Sequence, residues 1–218
     1  MSIDQNTSTG PTSSADPDRG STAEHPLDDG WRAEFRQMDD ATPEEIQEIF
    51  ARANVGMRAA LLPNLLGQLE ALKGPTFGYR VDRYEHSLQS ATRALREGAS
   101  DDMVVAALLH DIGDNLGPTN HAEVAATVLG PYLDEEATWV VRHHTVFQIH
   151  HWGRQYGIDP DVRDVYRDHP YFDSCAHFCA AWDQASFDET YDTLPLEEFM
   201  PILERVFART PAQDLDPA

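Results

Sequence analysis

At 218 residues the chain is long enough for one domain of ordinary size with a tail, since a domain takes about 100–200 residues. It carries 38 acidic residues against 16 basic ones, a formal net charge of −22, and Lys73 is its only lysine. So few cations exclude a phosphate-backbone binder, which needs a basic face to release counterions, and equally disfavour an anionic membrane. Neither nucleic acid nor membrane is therefore expected as a partner. No run of eighteen apolar residues suggests a transmembrane helix, and the N-terminus lacks the basic-then-apolar pattern of a secretory signal. The two cysteines, Cys175 and Cys179, are four apart and read as core filling rather than a disulfide framework, so a cytoplasmic location is expected.

Residues 1–30 are Ser, Thr, Asp, Gly and Pro with scarcely a large apolar side chain, a composition that cannot offset its ordering entropy and predicts a disordered tail. Six acids against Arg19 give this segment −5, which leaves −17 on the remainder, so the acidity belongs to the folded body. From Trp31 onward the pattern is helical. Thr42-Pro43-Glu44-Glu45 supplies an N-cap, a first-turn proline and dipole-favoured acids, opening a helix to about Ala53. A second is predicted over 55–72, ended by Gly74-Pro75, and a third over 81–97 with Val81, Tyr84, Leu88, Ala91 and Leu95 on one stripe. Ser100-Asp101-Asp102 starts the next, whose segment 103–109 is apolar on every side and should be buried. Further helices are predicted over 120–129, 135–151, 160–167, 172–186 and 196–208. No strand-like alternation competes, so the class is all-α.

The informative segment is Ala106-Ala107-Leu108-Leu109-His110-Asp111-Ile112-Gly113, where a helix that should be buried ends in an imidazole beside a carboxylate. An unpartnered buried carboxylate costs roughly 3–5 kcal/mol, a cost that a divalent cation removes. Asp183 falls on the stripe Phe172, Cys175, Ala176, Cys179, so a second carboxylate projects from an apolar helix face. His86 points away from the main stripe of its helix and reads as solvated unless the helix is covered on two sides, which the small residues Ser90 and Ala94 would permit.

His86, the pair His110-Asp111 and Asp183 give the order H…HD…D, and on these residues the chain resembles the HD-domain superfamily of helical metalloproteins over residues 77–209. His121 and His144 stand where two-metal members add histidines; His143 rivals His144 by periodicity alone, and the spacing of the whole series favours His144. The resemblance implies His86, His110 and Asp183 on one metal, His121 and His144 on the other, and Asp111 bridging. Imidazole and carboxylate suit iron, manganese or zinc. The run Tyr79-Arg80-Val81-Asp82-Arg83-Tyr84-Glu85-His86-Ser87-Leu88-Gln89 is similar to the mixed-valent di-iron HD oxygenases, the group of myo-inositol oxygenase and the phosphonate-cleaving oxygenases. That resemblance implies two iron ions, Fe(II)/Fe(III), with O2 as co-substrate. The reaction it implies is oxidative cleavage of a C–C or C–P bond next to a hydroxyl-bearing carbon of a small molecule. The implied architecture is a disordered acidic tail at 1–30, N-terminal helices packing on the core at 31–76, an HD metal-binding core at 77–210 and a flexible C-terminus at 211–218.

The substrate side is read from Tyr84 and Gln89 beside His86, from Asp114 four residues past His110, from Gln148 four past His144, and from His151, Arg163 and Arg167. The aromatic, donor-rich stretches 150–156 and 166–172 are candidates for a pocket or lid, or for plain loop packing. Phosphonate-handling relatives place a cationic His or Lys near the ligands where this chain has Asp114 and Gln148, so charge for a phosphonate would come from Arg142, Arg154, Arg163 or Arg167. A neutral or cationic hydroxylated substrate fits the acidic site at least as well. The main rival is a metal-dependent HD phosphohydrolase acting on a nucleotide or other phosphate ester, with Asp114 positioning water. A non-catalytic HD module is a second rival, disfavoured because all six candidate ligands are present.

Overall fold

A computed structural model describes residues 29–211, and every regular element among them is helical. The tail expected at 1–30 and the C-terminus expected at 211–218 lie outside the described residues, apart from Asp29, Gly30 and Pro211. No helix among the described residues is long and apolar enough to cross a membrane.

The first long helix, α1, runs over Pro43–Glu70 without the break expected near Asn54. Asn54 and Gly56 each lower helix propensity by at most about 1 kcal/mol, and no proline or cap accompanies them, so the two expected helices merge. Its start is a capping box, with Thr42 Oγ1 accepting from the Glu45 amide at 3.2 Å and Glu45 Oε2 accepting from the Thr42 amide at 2.9 Å. The chain divides into two compact units at Arg52/Ala53, inside this helix. In the first unit Arg52 pairs with Asp29 at 2.8 Å and covers the Trp31 ring at 4.9 Å.

The second unit holds the remaining helices. They are α2 (Arg83–Glu97), α3 (Asp101–Leu109), α4 (His121–Leu129), α5 (Glu135–Tyr156), α6 (Phe172–His177) and α7 (Met200–Phe207), with short 3₁₀ turns at Val162–Tyr166 and Leu196–Glu198. Capping follows the sequence closely. Asp82, Ser100 and Asp134 cap α2, α3 and α5 through their side chains, and left-handed Gly98 and Gly157 end α2 and α5. Helix α3 is the axis of this unit. Val104 through Leu109 are buried without exception, and α2, α5 and α7 pack around them. Each such leucine removed from water contributes about 1.5–3 kcal/mol, so the end of α3, where His110 stands, is fixed by packing on several sides.

The expected helix over 172–186 is α-helical only to His177 and continues as a π-helix over Phe178–Asp183. The wider turn is visible in the Gln184 amide, which donates to the Cys179 carbonyl five residues back at 3.0 Å. Single π turns of this kind interrupt α-helices frequently at functional positions.

Candidate metal centre

Five elements deliver six side chains to one point. Helix α2 brings His86, the end of α3 brings His110 and Asp111, the first residue of α4 is His121, α5 brings His144, and the π-helix ends on Asp183. His86 is not solvated. It is 1% exposed, because α2 is covered on nearly every side, with Ser87, Gln89 and Ser90 also buried. His143, the rival of His144, turns away and stacks on Trp139 at 4.1 Å, with its Nδ1 donating to the Trp139 carbonyl.

The six side chains fall into two groups that share Asp111. On one side His86 Nε2 lies 3.2 Å from both His110 Nε2 and Asp183 Oδ1, and His110 Nε2 lies 3.4 Å from Asp111 Oδ2. On the other, His121 Nε2 and His144 Nε2 are 3.3 Å apart and lie 3.3 and 3.4 Å from Asp111 Oδ1. Donors bonded about 2.1 Å from a common ion lie about 3.0–3.4 Å from one another, the spacing of these pairs, while His86 Nε2 to Asp111 Oδ2 and His110 Nε2 to Asp183 Oδ1 are wider at 3.7 and 3.9 Å.

Hydrogen bonding on the far side of each ring decides what faces inward. Nδ1 of His86 donates to the Ser186 carbonyl at 2.9 Å, that of His110 to Ala107 at 2.9 Å and that of His144 to Val141 at 2.7 Å. His121 Nδ1 faces two acceptors, Asp114 Oδ1 at 3.0 Å and the Pro118 carbonyl at 3.3 Å. All four Nε2 lone pairs therefore converge with carboxylate oxygens, acceptors without donors. Asp183 Oδ2 is buried and has no hydrogen-bond partner. Such a cluster calls for a cation, and the groups on either side of Asp111 could each hold a metal ion.

Without a cation, protons on the rings stand in for it. Burial works against the charge on Asp111, yet the surrounding imidazoles hold its carboxyl well below the usual range; Asp183 is likewise lowered against burial, by His86 foremost. Burial depresses His110 to about 4, keeping its ring neutral. Burial also works against charged His86 and His144, but their contacts with Asp183 and Asp111 respectively outweigh it and raise both.

The cluster forms the floor of a cavity of about 660 Å³. Of the residues read as substrate-side, Gln148 and His151 line it, and His151 Nε2 is buried there without a partner. Asp114 stands behind His121. The structure places the other four outside the cavity. Tyr84 lies under the Lys73 ammonium, Gln89 holds the backbone of Asp188, Arg163 packs over Phe147 and Phe172, and Arg167 pairs with Asp164. The stretch 150–156 contributes Trp152 and Tyr156 besides His151, whereas in 166–172 Tyr166 and His169 pack on Trp139. Sequence reasoning missed Tyr79, Arg83, Thr145, Gln184 and Phe187. Arg83 and Thr145 carried a usable signal, standing one turn before His86 and next to His144; Phe187 lies in the irregular segment after the π-helix and carried none.

Residues 83–183 match the HD domain family, and all six converging side chains lie within that match, in groups that could hold metal ions. The [1-hydroxy-2-(trimethylamino)ethyl]phosphonate dioxygenase (glycine-betaine-forming) of Leisingera caerulea is 36% identical over 78 residues, 31% of this chain. The match spans 40% of that relative's length.

Proposed function

We propose that the chain is a di-iron oxygenase that uses O2 to cleave a C–C or C–P bond next to the hydroxyl-bearing carbon of a small molecule. The observation that carries this reading is the division of Asp111, one oxygen toward each of two histidine groups, at the floor of a cavity large enough for a small substrate. His86, His110 and Asp183 would hold one iron, His121 and His144 the other, with Asp111 between them. A mixed-valent iron pair supplies O2 activation and a docking point for the substrate hydroxyl. The protein's own part is orientation and exclusion of water.

The relative's substrate combines a hydroxyl, a phosphonate and a trimethylammonium group, and the cavity has chemistry for each end of such a molecule. Arg83 is the one Arg or Lys among its lining residues and suits the anionic end, a role for which the sequence offered only more distant arginines. Tyr79, Phe187, Trp152 and Tyr156 supply aromatic faces, the surface that quaternary ammonium groups prefer, and the acidity of the chain favours the same cation. Against the hydrolase, both oxygens of Asp114 are engaged by Arg83 and His121 rather than directed at a water in the cavity.

The test is electron paramagnetic resonance on iron-loaded, partly reduced protein, quantified against bound iron. A coupled mixed-valent signal that accounts for most of the iron and shifts with a trimethylammonium-bearing 1-hydroxyphosphonate is the expected result. Absence of that signal, with manganese or zinc retained and phosphate esters hydrolysed, would overturn it in favour of the phosphohydrolase.

A further inference from the structure

Three of the four cluster histidines are anchored in the same way, by a backbone carbonyl at 2.7–2.9 Å from Nδ1, on rings at most 3% exposed. His121 differs on both counts. Its side chain is 17% exposed, its carbonyl contact to Pro118 stretches to 3.3 Å, and its short bond is to a carboxylate, Asp114 Oδ1 at 3.0 Å. It is also the first residue of α4, where packing holds a side chain least, and its N-cap Asn120 makes no side-chain cap bond.

Asp114 is itself held. Arg83 Nε meets its other oxygen at 3.1 Å, while the same guanidinium reaches Asp111 Oδ2 at 3.8 Å and lies over the Tyr79 ring at 5.4 Å. One cation thus stands between two carboxylates that would otherwise repel. The backbone closes the arrangement. A Cβ at Gly113 would lie 2.5 Å from the His121 carbonyl oxygen and 2.9 Å from its Cα, so the turn carrying Asp114 is pressed against the start of α4 in a way only glycine permits.

We infer that Asp114 and Arg83 are positioning residues for the second metal position: Arg83 fixes Asp114, Asp114 fixes the hydrogen and the orientation of His121 Nδ1, and Nε2 is thereby aimed at the ion. The inference rests on the two-metal reading above. It gives Asp114 a role different from a substrate contact, and it makes the second position, unlike the first, depend on an ion pair at the cavity wall. Partners of this kind behind a ligating histidine change metal affinity by about ten- to a hundredfold.

The test is anaerobic Fe(II) titration of the full chain, reading the affinity of each of two equivalents, with circular dichroism confirming helicity. Asp114→Ala should weaken the second equivalent by about ten- to a hundredfold and leave the first unchanged. Asp114→Asn, whose amide oxygen still accepts from Nδ1, should recover much of that loss, and Arg83→Gln should weaken the second equivalent by a smaller factor. His121→Ala is run alongside. If it loses one equivalent while Asp114→Ala binds both as the unaltered protein does, or if Asp114→Asn is no better than Asp114→Ala, the positioning role is overturned and the two-metal reading stands. If His121→Ala itself retains two equivalents, the two-metal reading falls and the inference with it.

Discussion

The two sides of Asp111 are built by opposite means. His86, His110 and Asp183 project from helices packed on nearly all faces, and the two rings are anchored to backbone carbonyls that cannot move without moving the core. On the other side His144 shares that construction, but His121 stands at a helix start and leans on side chains, Asp114 and behind it Arg83. A carbonyl inside a packed core gives a fixed ligand at the expense of burying polar groups; a carboxylate at the cavity wall gives a ligand that can be adjusted and lost separately. The difference teaches that, on the two-metal reading, the first position would be a property of the fold and the second of a few side chains.

The strongest way to break the comparison is to remove what the two sides share. Asp111→Ala should lose both metal equivalents, measured by elemental analysis after iron loading and desalting; a variant that keeps one equivalent would show that the sides are assembled independently. The next effect is an asymmetry in stability. His86→Ala leaves Asp183 without its closest partner in a buried site and should cost about 3–5 kcal/mol in the metal-free protein. His121→Ala removes a partly exposed ring and should cost under about 1 kcal/mol. Denaturant melts with chelator present compare them, and equal losses would refute the contrast. The smallest effect sharpens the claim about the core. Ser100→Ala deletes the cap that accepts from Met103 at 3.3 Å and should cost about 1 kcal/mol without altering the stoichiometry of either metal.

Much of this was legible in the sequence because the relevant signals are local. The end of α3 announced itself, since an all-apolar run that stops at His-Asp leaves few explanations for the carboxylate. The caps at Thr42 and Ser100 placed the starts of α1 and α3, whereas α5 runs past its expected end at 151 to the left-handed stop at Gly157. His86 was harder, because it lies off the apolar stripe of its helix, beside polar residues Ser87, Gln89 and Ser90 that are buried all the same, and the resemblance was needed to select it. Arg83 offered only its place one turn before His86, and Phe187 was beyond reach. The place of Phe187 in the cavity depends on how the segment after Asp183 folds back, and that segment has no period. Arg163 and Arg167 were attractive as cations in an acidic chain, yet composition does not say which wall of the molecule an arginine will face.

The π-helix of Phe178–Asp183 has a consequence for sequence comparison and for engineering. Residues in an α-helix advance by about 100° each, so deleting one residue from this segment would let it rewind to α spacing and swing Asp183 by roughly that angle. An alignment would score such a deletion as a single gap with every ligand type still present. The cluster would lose a carboxylate all the same, because the aim of Asp183 is encoded in how many residues precede it rather than in which ones they are.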